Sequence, residues 1–163
     1  MGLIRAPDVK HAEGAIFVFD ANRVRTELAK ATVAHVAAGC KPVRLWMQEN
    51  GKRFFVTARG SDQLLVFDTQ KLARIREITV GSAPVPVAAT RDGARIFVGN
   101  SNRWGKGVGR SLSVIDGKRL VFTGAIVTDD FPRNRKLFPQ WEDAIRNELR
   151  LRDGADDQYS PVT

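Results

Sequence analysis

A chain of 163 residues, 43% of them hydrophobic and 27% charged, carries enough apolar material for a folded core and is not compositionally disordered. Its net charge of +8 would suit nucleic acid or an anionic surface if gathered into a run, but the basic excess is scattered through the residues before 134. No aromatic-and-basic sheet motif accompanies it, so it reads as a solvated basic surface and nucleic acid is not expected as a partner.

Other classes are also excluded at this level. No apolar run approaches the ~20 residues of a membrane helix. Met1–Lys10 shows no apolar signal-peptide core, and Ala6 stands where a myristoylation motif needs a hydroxyl, so the compartment is left open. Cys40 is the single cysteine, which rules out intrachain disulfides and cysteine-rich metal sites.

In chain order, residues 1–13 read as an N-terminal extension. The first strand runs from Gly14 to Asp20 and contains Ile16-Phe17-Val18-Phe19-Asp20. Gly39-Cys40-Lys41-Pro42 then opens a unit with strands expected at 42–47, 53–58, 63–68 and 73–80. These are short Val-, Ile-, Leu- and Phe-rich segments. Turn chemistry separates them at Asn50-Gly51, Arg59-Gly60-Ser61-Asp62 and Thr69-Gln70. Asn-Gly and Asp-Gly tolerate the positive φ that a tight antiparallel turn needs.

The pattern then recurs. Gly81-Ser82-Ala83-Pro84, Asp92-Gly93 and Ile96-Phe97-Val98 each stand 42 residues after their counterparts Gly39-Cys40-Lys41-Pro42, Asn50-Gly51 and Phe54-Phe55-Val56. Strands ending in aspartate recur every 48 residues at Asp20, Asp68 and Asp116, because two loops have each gained six residues. Four strands in about 42 residues is the period of a propeller blade. Asp129-Asp130-Phe131-Pro132 opens a further repeat, and there the pattern stops.

Residues 133–163 form an atypical tail. Trp141, Ala144, Ile145 and Leu149 lie at helical spacing, which predicts an amphipathic helix over about 140–152. A one-base shift of frame with permitted codons turns 138–159 into another repeat, the glycine being forced by Trp141 and Glu142. The tail is therefore expected to derive from an insertion or deletion near 133–138 in a truncated gene product, which the coding DNA decides.

The Gly-x-x-Pro-Val, Asp-Gly-x-x-hydrophobic-Phe-Val, Asn-Ser and Val-Ile-Asp elements, in order, resemble the YVTN-type β-propeller repeat over about residues 14–132. The resemblance implies a ring of blades and places the chain beside lactonase-like propellers and the haem-binding propeller of a nitrite reductase. The expected fold is all-β: a partial β-propeller of about three four-stranded blades (repeats about 14–39, 40–81 and 82–128), two nearly complete, plus the short C-terminal helix.

Little in the chain points to a reaction. His11 and His35 are isolated, Cys40 has no partner motif, and neither a Gly-x-Ser-x-Gly elbow, a Walker loop nor a paired-carboxylate motif is present. Asp20, Asp68 and Asp116 recur at one repeat position, which points to backbone capping of turns. Trp104-Gly105-Lys106-Gly107-Val108-Gly109-Arg110 has glycines beside cations but lacks the strand-then-helix context of a phosphate loop. The resemblance places ligands at the mouth of a central channel, and the polar residues expected there are Arg44, Arg59, Asn100, Asn102 and Arg103. Hydrogen bonding between blades is the alternative role for them.

The reading is thus a non-catalytic binding or scaffold fragment with no metal and no cofactor. The alternative is a lactonase-like hydrolase whose Arg and His polarise an ester and activate water. Self-association is expected through two open blade faces, one carrying Phe17 and Phe19, the other Leu112, Val114 and Phe122, unless the tail helix packs over one of them through Trp141, Ile145 and Leu149.

Overall fold

The computed structural model describes residues 2–5, 13–103 and 110–128. The helix expected over 140–152, the rest of the tail read as shifted in frame, His11 and Trp104–Gly109 lie outside those residues.

Three antiparallel sheets follow one another along the chain. The first holds β1 (Gly2–Arg5), β2 (Glu13–Phe19) and β3 (Thr32–Cys40) in the order β1-β2-β3. The second is the meander β4 (Pro42–Met47), β5 (Arg53–Ala58), β6 (Gln63–Asp68) and β7 (Ala73–Thr79). The third repeats it with β8 (Pro84–Ala89), β9 (Arg95–Asn100), β10 (Ser111–Asp116) and β11 (Val121–Val127). The strands of the second sheet fall where the apolar segments and turn residues put them, the last ending at Thr79 rather than at residue 80. Gly2–Arg5 adds a strand ahead of the expected first one, pairing Gly2 with Val18 and Arg5 with Ala15. Four residues are too few for a period to show.

The two middle strands of the central sheet, β5 and β6, are buried on both faces, and alternation sorts their side chains between two layers. Phe54, Val56, Ala58, Leu65 and Phe67 pack with Ile16 and Ala38 of the first sheet. Phe55, Leu64, Val66 and Ile78 pack with Ile96, Val98 and Ile115 of the third. Burial on both faces is why β5 and β6 read as unbroken apolar runs rather than as alternating ones. The strand β8 lies against β4 and β5, while β11 lies against β7, so the second and third sheets stack inner strand to inner strand and outer to outer. The strand β1 meets β4 as β5 meets β8, which gives β1 the second-strand place in its sheet.

Turns obey the local chemistry. Gly51 and Gly93 sit at φ +66° and +68°, a region that glycine enters without a Cβ penalty. Asp68 Oδ1 accepts from the backbone N–H groups of Gln70 (2.9 Å) and Lys71 (2.8 Å), and Asp116 Oδ1 from those of Lys118 and Arg119 (both 2.9 Å). Asp20 Oδ1 accepts from Asn22 N–H at 2.9 Å and from Arg23 N–H at 3.3 Å. The recurrent aspartates are turn caps. The Arg119 and Lys118 N–H groups and the Arg119 and Arg95 charges hold the Asp116 carboxyl below the usual carboxylate range. After Asp20 the cap opens a short helix, α1 (Ala21–Thr26), which the sequence does not advertise because all six residues are exposed and no apolar stripe forms.

Burial corrects one expectation. Leu112 and Val114, read as part of an open face, are 2% and 5% exposed. Phe122, on the outermost strand, is exposed, and Phe17 and Phe19 are half-buried.

Candidate channel-mouth site

Antiparallel connection puts the segments 39–41, 59–62, 80–83, 101–103 and 110 at one end of the sheets, with the Asn-Gly, Asp-Gly and aspartate-capped turns at the other. At the first end each loop after a second strand is stitched to the entry of its own sheet. Gly60 N–H donates to Cys40 O (2.9 Å) and Arg59 N–H to Lys41 O (3.1 Å). One repeat later Asn102 N–H donates to Ser82 O (3.0 Å) and Ser101 N–H to Ala83 O (3.1 Å). Lys41 and Ala83, each just before the proline that opens its sheet, share φ values of +50° and +53°. The same bonds and the same unusual backbone in both repeats show that the geometry is encoded by the repeat.

Neighbouring sheets are then tied together. Asp62 Oδ1 accepts from Ala83 N–H at 2.7 Å, linking a loop of the second sheet to the entry of the third. Thr57, fully buried, accepts from Arg44 N–H (3.2 Å) and donates to Val85 O on β8 (2.9 Å). A single hydroxyl thus joins β4, β5 and the innermost strand of the next sheet.

Among the expected site residues, Arg44 stands on the innermost strand β4 with its side chain exposed, its Nη1 donating to Val43 O at 3.1 Å. Arg59 lies half-buried in the β5–β6 loop, and Arg103 is exposed in the β9–β10 loop. Asn100 ends β9 with its side chain turned between sheets and 1% exposed. Its Nδ2 donates to Ser111 Oγ (3.0 Å) and Ser113 Oγ (2.9 Å). Asn102 follows at φ +43°, a region asparagine tolerates. The structure places Asn100 and Asn102 near Ser82, with Arg44 and Arg103 on exposed positions.

Ser82, Ser111, Ser113 and Thr57 escaped the sequence reading. The signal that singles out Ser82 and Asn100 is their departure from the preceding repeat, where Cys40 and Ala58 stand.

The charge at this end is positive. Lys41, Arg44, Arg59, Arg103 and Arg110 all lie at this end of the sheets, with Glu13 and an Asp62 whose Oδ1 is engaged by the backbone. His35 lies on β3, stacked on Phe17 with ring centroids 6.3 Å apart. Cys40 is a free, half-buried thiol beside Gly60. Among the described residues no three His, Cys, Asp or Glu side chains group as metal ligands, and no helix is long and apolar enough to cross a membrane.

No family model matches the sequence, and no curated protein matches it. Solved structures do. Hydrazine synthase of Kuenenia stuttgartiensis superposes with a TM-score of 0.62 at 25% identity, over 72% of this chain and 30% of that one. The dihydro-heme d1 dehydrogenase NirN, solved in complex with DHE, gives 0.55 at 15% identity, over 77% and 25%. A functionally unknown protein from Desulfotomaculum acetoxidans gives 0.58 at 14%, over 71% and 34%. The chain therefore spans about a third or less of the length of each. Hydrazine synthase and NirN are β-propeller proteins, and this chain has the architecture of part of one.

Proposed function

We propose that the chain is a binding module built of YVTN-type propeller repeats, without chemistry of its own, whose cationic end takes a small anionic ligand. The observation that carries this reading is the placement of Lys41, Arg44, Arg59, Arg103 and Arg110 at one end of the sheets, with Arg44 on an innermost strand. Cations grouped at one end raise the local concentration of anions, and a guanidinium presents paired donors to carboxylate or phosphate. The described residues supply no paired acid and base beside these cations, and His35 is stacked on Phe17 at the edge strand of its sheet, so the lactonase-like alternative is kept as the second reading.

Calorimetric titration with inorganic phosphate and with citrate tests the proposal. Binding should weaken with added salt and fall about tenfold or more in the Arg44→Gln/Arg59→Gln variant. Equal affinity in wild type and variant, or no binding by either, overturns it. Turnover of a lactone panel that disappears in Arg44→Gln would establish the hydrolase instead.

The chain is also proposed to self-associate, through the face that carries half-buried Phe17 and Phe19 and through the edge of β1 that no described strand pairs. Light scattering at micromolar concentration should report a mass above that of one chain. A monomer at all concentrations removes this part of the proposal.

A further inference from the structure

Asn50 precedes Gly51 in the turn between β4 and β5, and the surroundings of that pair set it apart from the other described asparagines. Asparagine is thermolabile because the backbone nitrogen of the next residue can attack its side-chain amide, and a glycine there has no Cβ to hinder the approach. Asn50 is exposed, and a Cβ placed on Gly51 would meet nothing within 4 Å, so the reacting atoms have room around them. Asn50 Oδ1 accepts from Lys52 N–H at 3.0 Å. That bond polarises the side-chain carbonyl and offers a donor to the charge its oxygen gains under attack.

The other described asparagines lack this combination. Asn22 is exposed but lies inside α1 and precedes Arg23. Asn100 is 1% exposed and precedes Ser101, while Asn102 is half-buried and precedes Arg103.

The next repeat has Asp92-Gly93 at the same place, and there the turn is closed. Gly93 is buried, and a Cβ on it would overlap the Gln48 amide. That turn also shows how an acid fits. Asp92 Oδ1 accepts from Ala94 N–H at 2.9 Å, two residues ahead, as Asn50 Oδ1 accepts from Lys52 N–H.

We propose that Asn50 is a site of spontaneous deamidation. The Gly51 nitrogen gives its proton to solvent base and bonds to Asn50 Cγ, while the Cγ–Nδ2 bond breaks and ammonia leaves with a proton from solvent. Water then opens the cyclic imide at one carbonyl to give aspartate, or at the other to give isoaspartate. In the closed turn Gly51 N–H donates to Gln48 O at 2.8 Å, so attack proceeds when the turn opens. The aspartate product recloses it with the bond that Asp92 makes. The isoaspartate product adds a backbone carbon between Gln48 and Arg53, whose N–H···O bond at 3.0 Å closes the hairpin, and disrupts it.

Incubation of the chain in mildly alkaline buffer at body temperature, followed by tryptic mapping, tests this. The peptide Leu45–Lys52 should take up the mass of an amide-to-acid exchange before any peptide carrying Asn22, Asn100 or Asn102, and should resolve into two products. In Asn50→Gln, whose longer side chain closes its ring more slowly, the acidic species should be lost. Asn50→Asp should unfold at the wild-type urea midpoint. A Leu45–Lys52 peptide that stays unchanged, conversion of another described asparagine first, or equal conversion in Asn50→Gln overturns the proposal. A lowered midpoint in Asn50→Asp overturns the fit assigned to the aspartate product.

Discussion

Phe67→Ala is expected to cost about 3–5 kcal/mol, the largest effect of any single substitution considered. The Phe67 ring is fully buried and stacks on Phe54 with centroids 4.8 Å apart and planes 3° from parallel. Around the pair stand Ile16, Val56, Ala58 and Leu65, which close the layer between the first and second sheets. Hydrogen-bonded ladders hold both walls of that layer, so the sheets collapse poorly into the space a lost ring leaves, and the cavity persists. Against a total stability of about 5–15 kcal/mol, such a loss leaves much of the chain unfolded at moderate denaturant. The urea midpoint reads it. A cost below about 1 kcal/mol would mean that the layer between the first two sheets is not formed in solution. Amide exchange should show the loss more strongly in β2 and β3 than in β9 and β10, because Phe67 faces the first sheet.

The second large effect is expected from Thr57→Val, at about 2–4 kcal/mol, although the shape of the side chain hardly changes. The hydroxyl satisfies two backbone groups at once, accepting from Arg44 N–H and donating to Val85 O. Valine leaves a donor and an acceptor unpaired, each at about 1–3 kcal/mol, with a small gain from the added methyl. Thr57→Ser keeps the hydroxyl and should retain most of the stability. Equal behaviour of the valine and serine variants in chemical denaturation would show that the bridge between β5 and β8 contributes nothing. Because Arg44 is held through the same hydroxyl, the valine variant should also bind anions more weakly than the serine variant.

Much of the fold was legible in the chain because its determinants are local. Short apolar runs, glycines at Gly51 and Gly93, and aspartates that cap the following turn act within a few residues of themselves, and their recurrence gave the order and length of the strands. Asp20, Asp68 and Asp116 are the clearest case, since a side chain that bonds backbone two and three positions ahead needs no tertiary partner. The strand β1 was not legible, because Gly2–Arg5 becomes a strand only by pairing with residues 15–18, across a gap in sequence.

The candidate site divides in the same way. The repeat alone marks Arg44, Arg59, Asn100, Asn102 and Arg103 as residues of one end. Which of them faces solvent and which is enclosed was decided by how the third sheet stacks on the second. That stacking turned Asn100 inward onto Ser111 and Ser113 while Arg44 stayed exposed. Ser82 and Asn102 are set side by side by a backbone bond within the third sheet, and Leu112 and Val114, which the linear pattern left on an open face, are buried. Sequence periodicity reports the face of a strand on which a residue lies. What covers that face depends on contacts between segments far apart in the chain, and only the packed sheets decide it.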